Sequence, residues 1–323
     1  MDFFKNLFDF KRTKMIDEAL FFHRPVNLGK NILSYIITLI VASLIVAVSQ
    51  SIPLIFYLSS KPGVMDSIAN GSTSALADAI KNMPPWLTGI DLLFTGLFIL
   101  VAIYYCKKYE NRGPFTMGFV KRGCAVEYLF GFLVGGAIIG LTLLLNLAAG
   151  TVEFSFVGFS PIMLLFLAGF VIKGFGECAF VHGFFTVSVA RDYAPIVAIL
   201  AGTCAYLAFS ISSATVTVVS FFNILLIGFL TGVYVFKRGS IIGASAILAG
   251  WNFMQLSVFA PNSDTSPLVL AKATGSAYIN GSYGGVGGGL FATLVLVVAI
   301  FLLLLTPQKR SQISDFEENA YQV

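Results

Sequence analysis

Residues 193–236 run for 44 positions without one charged side chain. A surface facing water cannot be built from such a stretch. A soluble domain carries roughly 25% charged residues, whereas this chain of 323 residues carries 11%, and 57% of its residues are hydrophobic. These proportions exclude a soluble enzyme, a nucleic-acid-binding protein and a disordered hub. They leave an integral membrane protein whose first partner is the lipid bilayer.

A helix crosses the roughly 30 Å hydrocarbon core with about 20 apolar residues, so the 44-residue stretch is too long for one helix. Ser210, Ser212, Ser213, Thr215 and Thr217 mark where it turns back on itself. Apolar windows recur at 32–57, 86–105, 128–149, 160–189, 194–211, 218–236, 240–259 and 288–305. The expectation is an all-α integral membrane protein, an eight-helix transmembrane bundle. Residues 31–306 form its single transmembrane domain, between an N-terminal segment (1–30) and a tail (307–323).

Lys and Arg collect in loops that stay cytoplasmic. With the first residues inside, 16 basic residues fall on the inner side and three (Lys61, Lys81 and Lys272) on the outer, with Lys173 inside a span. Both flanking segments and the 107–122 loop are therefore expected to be cytoplasmic, in a multi-pass protein of the cell membrane. No cleavable signal peptide is read at the start, because the apolar run begins only after about thirty residues with no small-residue cleavage site following. Phe3, Phe4, Leu7 and Phe8, interleaved with Lys5, Lys11 and Arg12, suit a helix lying on the inner membrane surface. A frayed basic tail is the alternative. The polar stretch 61–85 reads as an outer loop.

Four unclustered cysteines and two histidines suggest neither a disulfide framework nor a metal site. Small residues four apart allow helices to approach closely in membranes. Gly131/Gly135, Gly136/Gly140, Gly228/Gly232 and Gly239/Gly243 have that spacing.

Ionisable groups inside spans are costly and therefore functional candidates. The fourth span holds Lys173, Glu177, Cys178 and His182 in VIKGFGECAFVHGFF. Lys173 and Glu177 are i,i+4 neighbours on a helix and can pair, which by itself could be their whole role. Cys178 and His182 share the same spacing, the raw material of a cysteine nucleophile; the alternative is a small buried thiol beside a core imidazole. Asn252, in AGWNFMQ, is a polar residue deep in an apolar run, suited to an interhelical hydrogen bond or to lining a site.

Beyond these residues, the order of motifs resembles the CPBP intramembrane proteases, which include the type II CAAX prenyl proteases and bacteriocin-immunity-related bacterial proteins. The resemblance covers roughly residues 118–305. Its best block is NILLIGFLTGVYVFKRGSIIGASAILAGWNF, where a Gly-rich helix, a short basic turn and a helix ending in WNF follow without gaps; ARDYAPIVAIL, WNFMQLSVF and GGGLFATL fit the neighbouring stretches. The family's EExxxRG motif reads ECAFVHG here, keeping Glu177 but replacing the second Glu by Cys178 and the Arg by His182. Its FxxxH motif falls on YLAFS, with Ser210 in place of His, or in a shifted register on Phe209 and Ser213. Its HxxxN motif falls on LAGWN, keeping Asn252 but putting Leu248 in place of His.

The resemblance implies a CPBP-like bundle and a bacterial origin. In the family a Glu activates water, histidines assist or bind metal, and an Asn forms an oxyanion pocket. By that reading Glu177 and Asn252 are the candidate catalytic residues, as general base and oxyanion donor. With both motif histidines replaced, no metal or other cofactor is expected, since a zinc site needs about three protein ligands. The expected function is a catalytically degenerate, pseudoprotease-like protein whose intramembrane cavity binds a peptide, lipid or partner protein. The alternative is an active endopeptidase using Glu177 and Asn252. A small-solute transporter is a third class, for which paired mid-membrane charges and helices broken in both halves are missing.

Overall fold

The computed structural model describes residues 7–21, 25–71, 74–120, 123–210, 217–262, 264–281 and 285–308. Through them run α1 (Lys14–Ala19), α2 (Leu28–Ser59), α3 (Val64–Ala69), α4 (Ser74–Lys81), α5 (Pro85–Tyr109), α6 (Cys124–Ala148) and β1 (Val152–Phe156). Next come α7 (Met163–Ala190), α8 (Pro195–Ser210), α9 (Val218–Arg238), α10 (Ile242–Val258), β2 (Phe259–Ala260), β3 (Val269–Ala273), α11 (Ala277–Asn280) and α12 (Leu290–Leu305). Helices α2, α5, α6, α7 and α9 are long and apolar enough to cross a membrane, and α8, α10 and α12 are shorter apolar helices. This is the make-up of a multi-pass, mostly helical membrane protein.

The boundaries follow from local chemistry. The Asn27 side chain accepts from the Lys30 amide at 2.9 Å and opens α2. Pro85 begins α5, where its missing N–H costs nothing. Thr217 and Ser220 form a reciprocal capping box at the start of α9, their side chains accepting from each other's amides at 3.1 and 2.8 Å. The expected hairpin lies between the end of α8 at Ser210 and this cap; its Ser212, Ser213 and Thr215 fall outside the described residues.

Helix α10 is the centre of the bundle, held between α6 and α7 by glycines. A Cβ on Gly135 would stand 2.0 Å from the Ile247 carbonyl oxygen, and one on Gly131 would stand 2.4 Å from that of Gly243. From the other side, a Cβ on Gly174 would meet the Ser245 oxygen at 2.4 Å. The expected Gly131/Gly135 contact is therefore a backbone-to-backbone seam. Gly140 and Gly239 do not pack as their spacing suggests: a Cβ on Gly140 would meet nothing within 4 Å, and Gly239 ends α9 with φ +69°.

The helical make-up carries one small addition. Segments between the helices pair into a small sheet of order β1-β3-β2, with Val152 opposite Ala273 in the antiparallel pair and Phe259 beside Val269 in the parallel one. The expected surface helix at the start is only partly covered by the described residues. Phe3, Phe4 and Lys5 lie outside the described residues. Beyond them the segment does not lie free: Phe10, Met15 and Ile16 are buried against the end of the bundle. Lys237 reaches over the Phe10 ring and donates to the Leu304 and Thr306 carbonyls at 3.0 and 2.6 Å, while the Gln308 amide exchanges hydrogen bonds with the Lys11 backbone.

Within α7, residues Ala179–Thr186 wind as a π-helix, in which hydrogen bonds run from i+5 rather than i+4. Arg112, from the 107–122 loop, secures this wider coil. Its guanidinium donates to the Gly183 and Phe184 carbonyls at 3.2 and 3.1 Å and to Ser188 Oγ at 3.0 Å. Glu110 bridges Arg112 at 2.6 Å and Arg191 at 2.9 Å. Burial lowers the Arg191 guanidinium pKa from its usual value, and the Glu110 carboxylate opposes that shift. Two arginines that charge counting assigns to solvated loops are thus buried structural groups.

Candidate functional site

A cavity of about 560 Å³ opens among α2, α5, α7, α8, α9 and α10. That volume lies within the range of small-molecule sites. Lys173, Glu177, Ser210 and Asn252, which come from three separate helices, all line it. The fold therefore gathers two of the four singled-out residues of the fourth span with Ser210 and Asn252.

Glu177 is 4% exposed, and both of its oxygens are engaged. Oε1 forms an ion pair with Lys173 Nζ on the preceding turn of α7, and Oε2 accepts from the Tyr206 hydroxyl at 3.3 Å. Ser210, one turn beyond Tyr206 on α8, hydrogen-bonds with that hydroxyl. The result is a chain Lys173–Glu177–Tyr206–Ser210 along one wall. The ammonium and the phenol each take one acceptor position, one on each carboxylate oxygen.

Asn252 donates through Nδ2 to the Leu248 carbonyl oxygen at 2.8 Å, one turn back on its own helix. One of its two amide hydrogens is thus spent within α10. Leu248 itself is fully buried and does not line the cavity.

Cys178 and His182 are not brought together as a dyad. Both are fully buried and neither lines the cavity. His182 Nε2 is 2.9 Å from Thr231 Oγ1 on α9, and Nδ1 is 3.4 Å from Thr186 Oγ1. The imidazole turns to these two threonines instead. Both ring nitrogens are spent on threonines, so His182 is a core residue that ties α7 to α9. Among the described residues, no three His, Cys, Asp or Glu side chains gather in a way that could hold a metal ion.

Several cavity residues escape the sequence argument. Asn223 donates from Nδ2 to the Gly287 and Gly289 carbonyls, both at 2.9 Å, and its Oδ1 accepts from Thr293 Oγ1 at 2.6 Å. Gln255 Oε1 accepts from the Gly287 amide at 3.0 Å. Tyr206 supplies the hydroxyl beside Glu177. A polar side chain inside a span is the signal common to all three, the one that selects Asn252. Asp91 of α5 is a further ionisable group inside a span that the same argument reaches. It lies outside the cavity lining, and its backbone carbonyl accepts from Gln50 Nε2 at 2.9 Å.

Comparison of the chain with protein-family models, with curated proteins and with solved structures finds no match.

Proposed function

We propose that the chain is an eight-span membrane protein, CPBP-like in fold and catalytically silent, whose Glu177 cavity binds a ligand without cleaving it. The observation that carries this reading is the state of Glu177. In the resembling family the corresponding Glu works as a base with histidine partners, whereas here Lys173 and Tyr206 occupy its two oxygens. The positions that would supply histidines hold Ser210 and Leu248, and the neighbouring His182 faces threonines away from the cavity. What remains is an amphipathic chamber with amides, hydroxyls and one neutralised charge pair, a lining suited to recognition.

One observation favours the second reading, an active endopeptidase: Glu177 and Asn252 do line the same cavity. Purified protein incubated with a peptide library, with and without chelator and beside Glu177→Gln, separates the two. Identical product profiles for the wild type and Glu177→Gln are expected. Products made by the wild type and absent from an equally abundant Glu177→Gln preparation would transfer the protein to the second reading.

A further inference from the structure

Two residues on the cavity lining, Ser43 and Ala47 of α2, are also exposed. Exposed residues of this kind fit the rim of an opening. They sit one turn apart on one face of α2, and both are small. Across the opening stand Phe209 of α8 and Ile224 of α9, also partly exposed. The neighbours of the rim on α2, including Leu44 and Val48, are exposed apolar side chains of the kind that faces lipid.

The depth of this rim decides what passes through it. At about 1.5 Å rise per residue, Ser43 lies about 22 Å from the start of α2 at Leu28, and Ala47 about 18 Å from its end at Ser59. In a spanning helix that is the middle of the hydrocarbon layer, where only an apolar chain crosses without a large desolvation cost. Behind the rim the lining is polar, and its charged residues, Lys173 and Glu177, cancel one another. The Lys173 side chain is the more accessible of the two, 29% exposed against 5% for Glu177. A ligand of large net charge would find no counter-charge here. One carrying both signs can offer its anion to the Lys173 ammonium and its cation to the Glu177 carboxylate.

We propose that the Glu177 cavity is entered sideways from the bilayer between α2 and the α8–α9 pair, and that its occupant is a zwitterionic phospholipid. The headgroup lies against Lys173 and Glu177, and an acyl chain passes out over Ser43 and Ala47. This rests on the reading of the cavity as a binding chamber and names its ligand class.

The protein carries its own reporter. Trp251 lines the cavity and is 8% exposed, while the chain's other tryptophan, Trp86, is exposed. In Trp86→Phe protein, reconstituted in phosphatidylcholine vesicles whose acyl chains are brominated, bromine atoms reaching the cavity quench Trp251. The expected result is an emission at least halved relative to non-brominated phosphatidylcholine. Ser43→Phe and Ala47→Phe, made separately on that background, should each narrow the rim and restore most of the emission. Two variants guard against one of them misfolding, and each is checked for an unchanged elution profile. Equal emission in the two lipids, or quenching that persists undiminished in both narrowed variants, overturns the proposal. So does quenching by a water-added bromophenylalanine peptide where brominated lipid has no effect. None of these failures touches the non-catalytic reading, which falls only if peptide products depend on Glu177.

Discussion

Gly135 and Gly140 lie five residues apart on α6, and substituting each by Ala should change stability in opposite directions. Either substitution gains about 0.8–1.0 kcal/mol of intrinsic helix propensity. At Gly140 that is the whole effect, because the new methyl meets nothing within 4 Å. At Gly135 the methyl would stand 2.0 Å from the Ile247 oxygen, 2.8 Å from its carbonyl carbon and 2.9 Å from the Trp251 nitrogen. All three are backbone atoms of α10, so no rotamer change relieves the clash and the two helices must separate. Overpacking of this kind costs about 1–3 kcal/mol. The upper end applies against a rigid helix backbone, leaving a net loss of about 2 kcal/mol after the propensity gain. The two variants should therefore differ by about 3 kcal/mol. The assay is the thermal midpoint of each purified protein in one detergent, read by the monodisperse fraction surviving a heating series. Gly140→Ala is expected above wild type and Gly135→Ala several degrees below. A Gly135→Ala midpoint equal to or above that of Gly140→Ala would refute the close-packed seam.

Arg112→Met removes the donor to Gly183 and Phe184 and one of the two guanidinium partners of Glu110. A loss of about 3–5 kcal/mol is expected for breaking such a buried network, measured as a drop in denaturation midpoint; an unchanged midpoint contradicts the clamp. Thr231→Val leaves the His182 Nε2 without its hydroxyl and should cost about 1–3 kcal/mol, read by the same measurement. Glu177→Gln unpairs Lys173, but that side chain is 29% exposed. Water then takes over part of its solvation, and the destabilisation should be smaller than that of Arg112→Met; a larger loss would mean that the pair holds the bundle together. In the native protein a thiol reagent should modify no more than Cys124 and Cys204, because Cys106 and Cys178 are buried. Modification of four thiols before unfolding would contradict the packing around α7.

The helices are legible because hydrophobic runs and spans share one cause. The windows read at 128–149 and 218–236 differ from α6 and α9 by four residues or fewer at each end. The cavity is legible for the same reason that its residues are few: Lys173, Glu177 and Asn252 are polar where polarity is expensive. The sheet is not legible, since β1 pairs with β3 across more than a hundred residues and its five residues carry no periodic signal that distinguishes them from a loop. Nor are the partners of Glu110. Counting charges by loop assigns Arg112 and Arg191 to water, and only the tertiary fold brings them onto one carboxylate. The Cys178–His182 argument fails because His182 meets Thr231 from α9 and Thr186 instead, and the contact with α9 exists only in the folded bundle.

The π-helix in α7 also sets a phase. Every residue after Thr186 is turned relative to where an uninterrupted α-helix would point it, and Ser188 and Arg191 find Glu110 in that turned setting. Were Ala179–Thr186 to wind as an α-helix without losing a residue, the final turn would swing round the helix axis. The Ser188 and Arg191 side chains would then leave the carboxylate they now share, while the Lys173–Glu177 pair upstream would stay where it is. The cavity and the C-terminal end of this one helix are thus indexed independently, with eight residues of wide coil acting as the coupling between them.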